Sequence, residues 1–329
     1  MARGEHDHTT LAEVPVMVYI TPSFRAYIST PVSKCSTLNS WSDPLRHVKR
    51  SIAYSNLILE KNEIPVKLKL HCIEELAEFV ENPNENKRLK EFLRAKESTR
   101  ALLNHADIAV LMTGSPSLNG TVGCSIGGPS DRRNPPVCWV FPEDELILIH
   151  EIGHLFGCEH NREEMGDKFM LGSNYGKLLR GTNMATIMAY PTKTNDKQIP
   201  YFSSNHRRFR GIKLGDYYND NRMQIIKTRF MMSQLGDKTG NCRHHEISCG
   251  RNCQQNCCEM QGSNNQELAL SLYSITYKGS GECSLGHSEV SSPDSAELAF
   301  NGLWLIIIDG IKETEEARDA IEYFGIFEE

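Results

Sequence analysis

The chain of 329 residues has no apolar run approaching the eighteen or so residues of a membrane-spanning helix, its longest candidate being Leu303 to Ile308. No membrane span is therefore expected. Nor is there an excess of positive charge: 36 Lys and Arg stand against 42 Asp and Glu, a formal net charge of −6. Nothing in that balance points to nucleic acid or an anionic membrane surface as a partner. An apolar leader is also missing, since residues 1–13 are polar and charged, so no secretory signal is visible. Cysteine pairs of the CxxC kind are absent, which removes the commonest signature of a thiolate-held metal. What remains is a soluble globular composition, 39% hydrophobic and 24% charged, long enough for one large or two modest domains with a real core.

Against this ordinary background stands Pro142 to His160, which reads PEDELILIHEIGHLFGCEH. At 3.6 residues per turn, His150 and His154 lie one turn apart on one helical face, close enough to grip a single metal ion. Glu151 lies beside them, placed to touch a metal-bound water rather than the metal. A continuing helix would carry His160 roughly 15 Å from His150 and off their face. Gly157 prevents this, because glycine accepts the left-handed conformation that ends a helix and lets the chain double back with a third ligand. Three histidines leave a fourth position open on a tetrahedral zinc, the arrangement of catalytic rather than structural sites. By chance these five positions would arise in this composition on the order of one time in ten thousand, so a core helix with incidental histidines is the weaker reading. Pro142 suits the first helical position, Glu143, Asp144 and Glu145 suit the first turn, and the flanking Leu and Ile residues predict a buried helix.

Upstream, the alternation of Val14, Val16, Val18 and Ile20 predicts a strand, and Asp43-Pro44 opens a helix with Leu45, Val48, Ile52 and Leu59 on one face. A second strand is expected over Ile64 to Cys72. Residues 84–104 read as helix with Leu89, Phe92, Leu93 and Leu102 inward, leading into a buried strand from Ile108 to Met112. The order β-α-β-α-β predicts an α/β fold whose sheet is largely parallel. Gly114 to Gly128 reads as loop and hairpin, with Asn119-Gly120-Thr121 either a turn or a glycosylation sequon. Thr121 to Ile126 is expected as an edge strand beside the histidine helix, to which an extended peptide could add. Pro135 to Phe141 gives a further strand, with Trp139 in the core.

HEIGHLFGCEH resembles the zinc signature of the metzincin clan of endopeptidases, and Thr186-Ile187-Met188-Ala189-Tyr190 is similar to the clan's methionine-containing turn. Asn161-Arg162-Glu163 and Ile199-Pro200-Tyr201-Phe202-Ser203 look most like the reprolysin-like (adamalysin-type) branch. The resemblance covers residue 14 to about 237. It implies a metzincin-like catalytic domain, a twisted mixed sheet packed on helices with the zinc helix at the cleft, and one catalytic Zn2+ held by His150, His154 and His160. Further implied are protein or peptide substrates, a water activated by Glu151 as general base, and Met188 as an apolar floor under the imidazoles. Tyr190 is implied either as a catalytic group or as an aromatic packed against the turn. Two features depart from the branch. Asn161 stands where aspartate is usual, so a weaker tie to the methionine turn is expected with the metal kept; and no cysteine-switch motif precedes Val14.

Composition changes after Gly236. Of eleven cysteines, Cys242, Cys249, Cys253, Cys257, Cys258 and Cys283 crowd this last part of the chain, which reads as a disulfide framework and predicts secretion. A second zinc site on His244 and His245 is the rival. Leu303 to Ile308 reads as strand and Lys312 to Phe324 as an acidic amphipathic helix. The expected organisation is a tail (1–13), a zinc protease domain (14–237) and a small cysteine-rich region (238–329) able to engage a matrix or cell-surface partner. The expected function is zinc-dependent endopeptidase. The alternatives are a binding protein or toxin acting through its C-terminal region, and a structural metal protein.

Overall fold

Val14, Val16, Val18 and Ile20 are fully buried, and so are Met17 and Tyr19 between them. A strand buried on both faces belongs at the middle of a sheet covered by helices on each side. This is β1 (Ala12–Ile20) of the computed structural model, which describes residues 9–29, 43–129, 131, 133–165, 172–190 and 197–236, together with four strand segments beyond them. The elements that follow are α1 (Pro22–Ser29), α2 (Pro44–Lys61), β2 (Val66–Glu75), α3 (Glu85–Leu93), α4 (Thr99–Leu103), β3 (Ile108–Met112), β4 (Gly123–Ile126), β5 (Val137–Val140) and α5 (Leu146–Leu155). Strand order is β2-β1-β3-β5-β4, parallel throughout except that β4 runs antiparallel to β5 at the sheet edge. The fold is thus the expected α/β arrangement with a mixed, largely parallel sheet.

The two sheet faces carry two core layers. Val14, Val16, Val18 and Ile20 pack with Val48, Ile52 and Leu59 of α2 and with Ile149, Ile152 and Leu155 of α5. Met17 and Tyr19 pack with Leu89, Phe92, Leu102 and Trp139 on the other side. The Asp43 carboxylate accepts from Leu45 N–H (3.0 Å) at the start of α2, as its sequence predicts.

Two boundaries differ from expectation. The histidine helix begins at Leu146, not Pro142, because Asp144 Oδ1 accepts from Leu146 N–H (2.7 Å) and Glu145 is drawn into an ion pair with Arg50. The stretch 84–104 is two helices, since Ser98 Oγ accepts from Ala101 N–H (3.2 Å) and starts α4 afresh, while Lys96 turns aside to Glu74. Further along come β6 (Glu159–Asn161), α6 (Arg162–Met165), β7 (Tyr175–Gly176), β8 (Leu178–Leu179), β9 (Met184–Ala185), β10 (Lys197–Gln198) and, at the end of the first unit, helix α7 (Asn221–Met232).

By backbone contacts the chain forms two compact units, Met1–Ile247 and Ser248–Glu329. The second contains two antiparallel strand pairs, Ile275–Lys278 with Glu282–Leu285 and Ser295–Phe300 with Leu303–Ile308. The expected strand at Leu303–Ile308 is among them. The boundary after residue 237, the cysteines from Cys242 to Cys258 and the helix expected from Lys312 lie outside the described residues. Among the described residues, no helix is long and apolar enough to cross a membrane, and Cys124, Cys138 and Cys158 are free thiols.

Arg88 was not expected inside, yet it is fully buried. Its guanidinium lies 4.4 Å from the Trp139 ring centroid and donates to the carbonyls of Asn82 (2.8 Å), Ser115 (2.7 Å) and Pro116 (3.2 Å). It thereby pins the loop that feeds β4. Arg88→Met keeps the apolar stem but leaves those buried acceptors unpaired, and should lower stability by about 3 kcal/mol in urea unfolding. A loss below about 0.5 kcal/mol, the range of an ordinary surface change, would show that the loop is held by other contacts.

Candidate metal centre

Helix α5 is buried on nearly every side, including His150 and Glu151. Its end is closed by a paired motif: Gly157 N–H donates to His154 O (2.8 Å) and Cys158 N–H to Gly153 O (3.0 Å), with Gly157 at φ +87°. These are the two bonds of a Schellman stop, and the positive φ is why glycine is needed there. The Phe156 carbonyl left over at this end accepts from Gln224 Nε2 (3.2 Å) and Thr228 Oγ1 (3.0 Å) on α7. The chain then turns into β6, which pairs with β7 in parallel and sets His160 opposite the helix.

The result is convergence of three ring nitrogens. His154 Nε2 lies 2.9 Å and His150 Nε2 3.3 Å from His160 Nε2. The other nitrogens of the two helical histidines are committed: Nδ1–H of His150 donates to Ile187 O (2.8 Å) and Nδ1–H of His154 to Cys158 O (2.8 Å). Those bonds fix the tautomer, so the two Nε2 atoms present lone pairs. Burial first, and each other's proximity second, push the three imidazoles down to about 4 for His150 and about 3 for His154 and His160. At neutral pH three uncharged imidazoles therefore bring ring nitrogens to one point, where a cation could take a lone pair from each. Two nitrogens held at about 2.0–2.1 Å on a tetrahedral ion stand roughly 3.3 Å apart, close to what is observed. The residues present fit a metal.

Glu151 is 6% exposed, and its Oε2 is buried without a hydrogen-bond partner among the described residues. Burial raises its carboxyl to about 8, opposed by the Ser125 side chain on β4. Below the histidines, Met188 is fully buried, and a methyl built on Gly153 would lie 2.6 Å from its sulfur, so the thioether packs directly on the histidine helix. Its turn closes through Ala189 N–H to Thr186 O (2.9 Å). Tyr190 places its ring against His160, centroids 3.9 Å apart, and nearly parallel to His150 at 5.9 Å. The expected tie through Asn161 is present: its Oδ1 accepts from Tyr190 N–H (2.9 Å), joining the strand that carries His160 to the methionine turn.

All seven residues singled out in the sequence, His150, Glu151, His154, Gly157, His160, Met188 and Tyr190, are brought into one neighbourhood. Several that matter there were missed. Gln198 Nε2 donates to both Ile187 O and Ala189 O (2.9 Å each), bracing the carbonyl that receives His150. Asn174 Nδ2 donates to Gly157 O (2.7 Å) and steadies the helix stop. Neither carries a sequence pattern. Gly123 approaches Glu151 closely, and the only hint was a glycine inside an expected strand.

Residues 69–203 match a reprolysin model described as Metallo-peptidase family M12. No curated protein matches the chain. Among solved structures, one titled "Structure of a chaperone-substrate complex" is similar at 14% identity with a TM-score of 0.48. That match covers 69% of this chain, which spans only 35% of the length of the other. The family match contains the whole histidine helix, the third histidine and the methionine turn, and over residues 69–203 the chain is similar to the reprolysin-like metallopeptidases of family M12.

Proposed function

We propose that the chain is a zinc-dependent endopeptidase in which His150, His154 and His160 hold one ion and Glu151 is the general base. The observation that carries this reading is the meeting of three neutral imidazoles beside a buried carboxylate, one oxygen of which has no partner among the described residues. Zinc, when bound by three histidines, lowers the pKa of its water to about 7 and polarises a carbonyl. The carboxylate of Glu151 takes a proton from the attacking water and returns it to the leaving amine. Burial suits it to that exchange, because a carboxylate removed from bulk water binds and releases a proton near neutral pH. The substrate lies along β4, whose outer edge is unpaired among the described residues and can take an extended peptide as an added strand. Protein substrates follow from the family. The cysteine-rich region, secretion and an extracellular partner remain parts of the same proposal that rest on composition.

Metal holding and chemistry separate by mutation. His154→Ala should reduce the zinc content of the purified protein from one ion per chain toward none. Glu151→Ala should keep the ion and lose turnover by close to 10⁴-fold, roughly 5 kcal/mol of barrier. Zinc content unaffected by His154→Ala contradicts the ligand set, and near-native turnover in zinc-loaded Glu151→Ala contradicts the base.

Tyr190 is proposed as a second catalytic group, on the strength of its ring standing against both His150 and His160. Tyr190→Phe preserves the ring and removes only the hydroxyl. A drop of about 10²-fold in kcat with zinc retained is expected of a transition-state donor, and unchanged kcat would reduce the residue to packing.

A further inference from the structure

We infer that Gly123 is a positioning residue for the Glu151 carboxylate, which occupies a slot that exists because β4 carries no side chain at that point. A Cβ placed on Gly123 would lie 2.5 Å from Glu151 Oε1 and 2.8 Å from both its Cδ and Cγ. Carbon atoms in contact stand about 3.5–4.0 Å apart, so the conflict is with most of the side chain and not merely its tip. Rotating the carboxylate about its last bond would move the oxygens and leave Cγ and Cδ where they are. The helix behind is held in place as well, because His150 is tethered by its Nδ1 bond to Ile187 and Ile149, Ile152 and Leu155 are packed into the core layer.

Strand alternation explains why this position faces the carboxylate. Cys124 and Ile126 pack into the core layer on the far side of the sheet, which leaves Gly123 and Ser125 directed at α5. Gly123 pairs with Val140 of β5, so it is an ordinary ladder position. Its φ lies outside the left-handed region, and alanine would suit the backbone. Glycine inside a strand costs roughly 0.5–1 kcal/mol relative to alanine. Neither backbone geometry nor strand stability calls for it here, and the space taken by Glu151 does. A methyl at position 123 would displace the carboxylate by about 1 Å, and a misplacement of that size costs on the order of 10²-fold in rate.

This inference rests on Glu151 being the general base, and the test separates the two. Wild type, Gly123→Ala, Glu151→Ala, the double variant of these two and Glu151→Gln are compared for peptide turnover, zinc content and thermal midpoint. Gly123→Ala should keep zinc and leave KM within a few-fold, because the methyl points at α5 and not along the free edge, while kcat falls about 10²-fold. In the Glu151→Ala background, which lacks Cγ, Cδ and both oxygens and so vacates the slot, adding Gly123→Ala should cost less than about threefold of the residual turnover. Equal losses in both backgrounds, or unchanged kcat in Gly123→Ala, overturn the inference. Should Gly123→Ala fail to fold, recovery of the fold in the double variant supports the slot, and failure of the double overturns it. Glu151→Gln as active as wild type would sink the base reading and this inference with it. Inactive Glu151→Gln beside fully active Gly123→Ala would sink the inference alone.

Discussion

Three imidazole nitrogens pointed at one spot are the constraint on which this structure turns. With Nδ1 of His150 and His154 each spent on a backbone carbonyl, their Nε2 atoms can only accept, and His160 brings a third nitrogen to 2.9 and 3.3 Å from them. The surroundings hold this cluster in place by packing and by hydrogen bonds. A cation bound at its centre would take the three lone pairs as ligands, and its binding energy would then feed back into the stability of the fold.

The rest of the domain can be understood as the means of holding that point. The doubly covered sheet gives α5 a rigid bed, with Ile149, Ile152 and Leu155 locked into one core layer. The Schellman stop at Gly157 reverses the chain, α7 satisfies the freed Phe156 carbonyl, and β7 receives the returning strand. Gln198, Ile187 and Asn161 then tie the methionine turn both to His150 and to the strand carrying His160. On the opposite flank, Arg88 anchors the loop into β4, and β4 stands beside Glu151. Base and two of the metal ligands share α5, but Glu151 leans on β4 and is not itself a ligand, which is why substitutions at each should have separable effects.

Much of this was legible in the sequence because it is periodic or local. The histidine spacing, the glycine stop, the strand at Ile108–Met112 and the Asp43-Pro44 helix start each depend on residues within a few positions of one another. The shift of the helix start to Leu146 was not legible, because Arg50, ninety-five positions away, draws Glu145 out of the first turn. Arg88 reads as one charge among many on a helix, and it is the Trp139 ring and the distant carbonyls of Ser115 and Pro116 that make it an interior residue. Gln198 and Gly123 act through tertiary contacts and leave no repeat to detect. The break between α3 and α4 was visible in principle in Ser98, but the surrounding Lys, Glu and Leu pattern argued for one continuous helix.

The central claim is that three histidines and no other protein side chain hold the metal. X-ray absorption at the zinc edge of the purified full chain tests it most directly. The expected result is four nitrogen or oxygen donors at about 2.0–2.1 Å, three of them imidazole nitrogens, around one such ion per chain. A shell containing sulfur at about 2.3 Å would place the zinc on cysteines instead, and would contradict the account.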